Sequence, residues 1–310
     1  MSGAAAGAES PPGEVFEIFG RRMHLCRRGA GDGLPTVVIE AGNSMCGAAY
    51  ARLQMGLSAH TQVVTYDRSG LGWSDNDTEP KDAEHVAAQL HALLQRAGVA
   101  PPIVLAGHSI GGLFLRVYAG KYPGEVCGAV FLDATHPRLS EALGGNQWIA
   151  DTCEFYRTQK EAVGHGNLHE SDAWFVDSFA DLPHVQAELR HAALQPLRYD
   201  VSIETLEAFE ATAAQVMACG DLGDRPVLSV TAPELVRFDE WLPAFSGYLS
   251  PEKKSALHAE LAALSTHGRH ITVEGAEHGN LTSDRWHAAI VVEEMLDLVR
   301  EAARARRRAV

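Results

Sequence analysis

Residues 103–122 read IVLAGHSIGGLFLRVYAGKY, and their interpretation decides the fold. Ile103, Val104, Leu105 and Ala106 make an apolar run of strand length with no polar side, as a strand buried on both faces does. From Leu113 to residue 122 the pattern is helical, and it stops at Pro123-Gly124. Between the two stands Gly107-His108-Ser109-Ile110-Gly111, a match to G-x-S-x-G. The motif alone recurs by chance. Set between an apolar strand and a helix, it meets the requirement of a nucleophile elbow. So sharp a turn strains the backbone at the serine, and side chains two positions to either side would collide, hence Gly107 and Gly111. The serine hydroxyl is left exposed at a helix N-terminus, whose dipole favours a developing oxyanion.

Outward from this unit the same rhythm repeats. Strands are expected at 15–19, 23–26, 36–40, 62–66 and 126–133. A helix is expected over 82–97, with Val86, Leu90, Leu93 and Leu94 on one face and Gly98 closing it. Strands apolar on both sides, alternating with helices, imply a mostly parallel central sheet with helices on both faces. From 137 to 225 no strand pattern is visible. That segment is rich in Leu, Ala, Glu and aromatics such as Trp148, Phe155, Trp174 and Phe179, and is expected to be a helical insertion. Strands resume at 227–230 and 270–273. A last helix is expected over 284–303, with Trp286, Ile290 and Leu296 near one face and Thr282 or Ser283 as its cap. The chain thus divides into a flexible tail (1–13), an α/β core (14–136 with 226–310) and the insertion (137–225).

Composition narrows the function. The 310 residues are 46% hydrophobic and 21% charged, which excludes a disordered, collagen-like or coiled-coil chain. No 18-residue apolar run is present, so no membrane span is expected. A net charge of −14 repels nucleic acid phosphates. The basic run at 304–308 reads as a helix end facing the negative pole of its dipole. Five cysteines, an odd number without C-x-x-C, point to reduced thiols rather than a disulfide framework or zinc site. Residues 1–14 lack the basic and apolar regions of a signal peptide, so a cytoplasmic location is expected. His165-x-x-x-His169 is interrupted by Gly166 and lacks a third ligand, and His267-x-x-His270 straddles Gly268 at a strand start. The glycine-rich stretch 29–33 opens no helix, unlike a phosphate loop. No metal or cofactor is therefore expected, and the partner is expected to be a small molecule.

Tyr66-Asp67-Arg68-Ser69-Gly70-Leu71-Gly72-Trp73-Ser74-Asp75 resembles the YDR-x-G-x-G-x-SD stretch of α/β-hydrolases. Gly107-His108-Ser109-Ile110-Gly111-Gly112 and Val273-Glu274-Gly275-Ala276-Glu277-His278 resemble that family's elbow and its final loop, in the family's order. The resemblance covers about 15–135 and 225–300. It implies the α/β-hydrolase fold, makes the insertion a lid, and gives His278 as the general base. His108 is expected instead to pack against the sheet or lid. Gly279 follows the base where the family often has a bulky residue. For the acid the resemblance leaves two places. Asp133, ending Val130-Phe131-Leu132-Asp133, matches members such as haloalkane dehalogenases. Glu234 and Asp239 lie after the next strand, where the usual G-x-x-D pattern is missing. The oxyanion hole is expected from the backbone N–H of Ile110, the residue after the nucleophile. By resemblance its second donor is the N–H of Asn43, in a loop where Ala41 replaces the family's histidine.

These readings converge on a serine hydrolase that cleaves carboxylic esters through an acyl-enzyme. Lactone, amide or carbon–carbon hydrolysis and perhydrolysis could use the same triad, and a hydrolase-fold sensor of small molecules is the alternative from another class. Epoxide hydrolase and dehalogenase chemistry would need aspartate in place of Ser109.

Overall fold

The structure is a computed structural model that describes residues 11–31, 33–234 and 249–308. Its sheet contains β1 (Glu14–Ile18), β2 (Arg21–Arg28), β3 (Val37–Glu40), β4 (Val63–Tyr66), β5 (Ile103–His108), β6 (Val126–Leu132), β7 (Val227–Thr231) and β8 (Gly268–Thr272). The spatial order is β1-β2-β4-β3-β5-β6-β7-β8. β1 with β2, and β2 with β4, pair antiparallel, and the other neighbours run parallel. The central strands are short and β-branched because both faces are covered. On β5, Ile103 and Leu105 point into one apolar cluster while Val104 and Ala106 point into the other. On β6, Phe131 and Leu132 divide in the same way.

The helices are α1 (Ala51–Leu57), α2 (Ala83–Arg96), α3 (Gly111–Lys121), α4 (Leu139–Ala142), α5 (Gln147–Gly164), α6 (Glu170–Asp177), α7 (Pro183–Ala193), α8 (Pro196–Glu207), α9 (Phe209–Met217), α10 (Pro251–Ala262) and α11 (Arg285–Arg308). α2, α3 and α9 pack together on one side of the sheet, and α1 packs on α11. α4 to α9 occupy the expected insertion, with no strand among the described residues between β6 and β7.

Three local expectations need correction. The cap of α11 is Asp284, not Thr282 or Ser283. Its Oδ1 accepts from the N–H groups of Trp286 (2.8 Å) and His287 (3.1 Å), whereas the Ser283 hydroxyl donates to the Gly279 carbonyl. The buried stripe of α11 runs through Ala288, Val291, Met295, Leu298 and Val299, which leaves Trp286 (68% exposed) and Ile290 outside it. The indole of Trp286 lies instead beneath the Arg285 guanidinium, 4.8 Å away. Two helices, α1 and α10, go beyond the elements expected from the sequence. α10 carries a readable start: the Ser250 hydroxyl accepts from the N–H of Lys253 at 3.3 Å, and Pro251 stands in the first turn. No helix among the described residues is long and apolar enough to cross a membrane.

Candidate active site

After β3 the chain turns towards β4, and after β5 it turns the other way towards β6. The carboxyl ends of β3 and β5 therefore flank a crevice, the usual place for a ligand in such a sheet. Ser109 leaves β5 there with φ +54°, in the left-handed region that non-glycine residues avoid. Neighbouring backbone holds it so: its N–H donates to the Leu132 carbonyl (3.2 Å), and its carbonyl accepts from the N–H of Thr135 (2.9 Å). A Cβ on residue 107 would come within 2.5 Å of the Gly111 carbonyl. One on residue 111 would come within 2.6 Å of the Glu40 carbonyl. Both glycines are demanded by space.

Asp133 leaves β6 with φ +44° and is fully buried. Its Oδ2 lies 2.6 Å from Nδ1 of His278, in the loop after β8, and its Oδ1 accepts from the N–H of Ala232 at 2.8 Å. A carboxylate can only accept, so Nδ1 of His278 carries the proton and Nε2 is left as an acceptor. Burial alone would raise the Asp133 carboxyl. The Lys254 ammonium and the His278 contact outweigh it and hold the group well below its ordinary range. Lys254 Nζ stands 2.7 Å from the same Oδ2 and donates to the Ala232 carbonyl at 2.7 Å.

The loop after β3 is fixed by a buried cation. Arg68 donates through Nη1 to Glu40 (2.7 Å) and to the Ala41 carbonyl (2.6 Å), and through Nη2 to the Gly42 carbonyl (2.6 Å). The Tyr66 hydroxyl donates to the other Glu40 oxygen. Burial raises the Glu40 carboxyl against the pull of Arg68. The N–H of Gly42 donates to the Tyr50 hydroxyl at 2.7 Å. His108 Nε2 lies 3.1 Å from the His278 carbonyl, so it carries the ring proton, and Nδ1 accepts from the Tyr50 hydroxyl at 3.0 Å. Burial and the neighbouring His278 push His108 down to about 3, so it is a neutral ring packed between two loops. Among the described residues, the N–H groups of Ile110 and Asn43 have no protein acceptor, and both residues line the same cavity as Ser109.

That cavity has a volume of about 240 Å³ and brings together Ser109, Asp133, His278 and Lys254. Its outer wall is aromatic, with Trp148, Phe155, Trp174, Phe175 and Phe209 from the α4–α9 region. The helical segment is clamped to the β3 loop by Arg198. Its Nε donates to the Ser44 carbonyl (2.7 Å), and its Nη2 pairs with Asp172 (2.9 Å).

Of the other candidate acids, Glu234 is exposed, and its N–H donates to the Ala276 carbonyl at 3.0 Å. Asp239 lies outside the described residues. The histidine pairs considered for metal are otherwise engaged. His169 caps α6, and His270 Nε2 lies 2.8 Å from the Thr231 hydroxyl. Among the described residues no cluster of His, Cys, Asp or Glu has the makings of a metal site. Sequence reasoning missed Lys254, His258, Arg68 with Glu40, and Arg198. For the first two, the Ser250-Pro251 start of α10 was the available signal. For the others only tertiary contact carries the information.

Comparisons with known proteins agree with this architecture. Residues 35–169 match the family described as "alpha/beta hydrolase fold". A pimeloyl-[acyl-carrier protein] methyl ester esterase of Xanthomonas oryzae pv. oryzae is 30% identical over 261 residues, 83% of this chain and 91% of that protein. An uncharacterized protein of Schizosaccharomyces pombe is 44% identical over 78 residues, and one of Bacillus subtilis, YbdG, is 29% identical over 128. These two matches span only 15% and 39% of the respective relatives. The crystal structure of Cfl2 from Burkholderia cenocepacia superposes with a TM-score of 0.69 at 23% identity, covering 92% of this chain and 94% of that one. With its mostly parallel eight-stranded sheet, its strained serine turn and a relative matched over most of both chains, the protein belongs to the α/β-hydrolase superfamily.

Proposed function

We propose that the protein is a serine hydrolase of carboxylic esters. The observation that carries this reading is the His278–Asp133 contact of 2.6 Å in a cavity that Ser109 also lines. Ser109 Oγ adds to the ester carbonyl while its proton passes to Nε2 of His278. The carbonyl oxygen becomes an oxyanion held by the N–H groups of Ile110 and Asn43, each such donor contributing about 3 kcal/mol. Collapse expels the alcohol, which takes the proton from His278. Water then attacks the acyl-Ser109, again losing a proton to His278, and collapse releases the acid as Ser109 Oγ takes that proton back. Asp133 holds the imidazole in the required tautomer and balances its charge once it is protonated.

The aromatic wall suits an apolar acyl or alcohol group, and the α4–α9 helices serve as its lid. Methyl ester hydrolysis, the reaction in the name of the Xanthomonas relatives, belongs to the same chemical class. The test combines an ester panel graded by chain length with mass spectrometry of the intact protein after a fluorophosphonate. The expected result is turnover of short p-nitrophenyl esters and a single adduct on Ser109. An unmodified serine in a folded protein would end this reading.

A further inference from the structure

An acid that orients a catalytic histidine needs no second cation, yet here one is buried on it. Lys254 is 6% exposed, and among the described residues its ammonium meets Asp133 Oδ2 at 2.7 Å and the Ala232 carbonyl at 2.7 Å. Burying an ammonium costs several kcal/mol unless a charge partner and hydrogen bonds offset it. A lysine serving only to fill space would therefore be a poor solution. The groups facing Asp133 come from three other elements: His108 from β5, Lys254 and His258 from α10, and His278 from the loop after β8. Two of them, His108 and His258, are neutral near pH 7, and burial is what pushes His258 down to about 4. The Nε2–H of His258 donates to the Ala134 carbonyl, and its Nδ1 accepts from the Thr231 hydroxyl. When His278 is itself neutral and acting as a base, Lys254 is the cation beside Asp133 among the described residues.

We propose that Lys254 is a positioning residue that keeps Asp133 ionised and its Oδ2 turned towards His278 throughout the catalytic cycle. The consequence for catalysis rests on the serine hydrolase reading, but the ion pair stands by itself. Without the ammonium, Asp133 would be a fully buried carboxylate facing a neutral imidazole, and it would take up a proton at a higher pH. A protonated Asp133 can no longer accept from Nδ1, so His278 loses the orientation needed for proton transfer.

The test is the pH dependence of kcat/KM for p-nitrophenyl ester hydrolysis in wild type, Lys254→Met and Lys254→Arg, alongside ¹³C NMR of the Asp133 carboxyl. The expected result for Lys254→Met is activity at pH 5.5, relative to pH 8, at least about twofold lower than in wild type, with the loss in kcat rather than KM. Lys254→Arg, which keeps the charge, restores the wild-type profile. A folded Lys254→Met protein with the wild-type profile overturns the proposal. If Lys254→Met does not fold, Lys254→Gln is read by the same criteria, and the NMR titration of the unaltered protein still decides. An Asp133 carboxyl that titrates below the ordinary aspartate range supports the pairing, and one that titrates within or above that range overturns it. The NMR readout needs no turnover. A Ser109→Ala protein that still hydrolyses esters would remove the hydrolase reading without touching this one.

Discussion

Replacing Asp133 by asparagine should destabilise and inactivate the protein by amounts that the local contacts set. Three donors converge on the carboxylate: the N–H of Ala232 at 2.8 Å on Oδ1, and the Lys254 ammonium at 2.7 Å and the His278 Nδ1 at 2.6 Å on Oδ2. No acceptor faces it among these contacts. An asparagine amide offers one oxygen and one NH₂, so either seating sets donor against donor. Its oxygen can satisfy Ala232, which leaves the NH₂ against Lys254 and His278. Turned over, the NH₂ confronts the Ala232 N–H. The buried ammonium also loses its counter-charge, and breaking one side of such a pair costs about 3–5 kcal/mol. In the first seating His278 is pushed to the wrong tautomer, a fault that lowers kcat by about 10⁴-fold in a serine protease triad. Urea melts and p-nitrophenyl ester kinetics on the purified variant read the two effects. The double variant Asp133→Asn/Lys254→Met removes the orphaned charge, so it should regain about 2 kcal/mol or more while remaining inactive. An Asp133→Asn protein with wild-type stability and turnover would refute the reasoning from donors.

Ser109→Ala and His278→Ala should each lower kcat by roughly 10⁴- to 10⁶-fold with circular dichroism unchanged, and residual turnover above that range would exclude the acyl-enzyme route. Arg68→Met strands the buried Glu40 and releases the Ala41 and Gly42 carbonyls. It should cost about 3–5 kcal/mol in a urea melt and lower kcat by about 10²- to 10³-fold, because the Asn43 donor drifts. A loss confined to KM would place that loop outside the chemistry. His108 and His258 are neutral when folded, pushed down to about 3 and about 4, mainly by burial. Below pH about 6.5 the unfolded chain binds these protons and the folded one does not. Stability should therefore fall as pH drops from about 6.5 towards 4, by up to about 1.4 kcal/mol per pH unit for each ring. Denaturant melts at stepped pH check this, and His258→Gln should remove close to half of the two-ring contribution. An unchanged slope in that variant would count against it.

The sheet was legible because its central strands are covered on both faces and so carry no polar alternation to confuse them. Ser109 was legible because the elbow excludes side chains at 107 and 111. Order along the chain singled out His278, and Asp133 was named as one of three acids. The structure brings Asp133 onto the imidazole and leaves Glu234 exposed. Lys254 and His258 escaped notice because no helix is expected from the sequence over 251–262. Only the docking of α10 against β7 and β8 turns them inward. The stripe on α11 was misjudged because Trp286 and Ile290 are large and apolar, yet both are exposed while the small Ala288 is buried. Arg198 is buried far in sequence from Ser44, and no local pattern marks it; Arg68 lies inside the Tyr66-to-Asp75 motif, but its pairing with Glu40 appears only in the fold.

The hydrogen bonds running from Gly42 through Tyr50 and His108 to the carbonyl of His278 stitch the loop after β3 to the loop after β8. Neither loop can swing aside to admit a molecule without breaking that seam. A change at Tyr50 or His108 would therefore be felt in both loops at once.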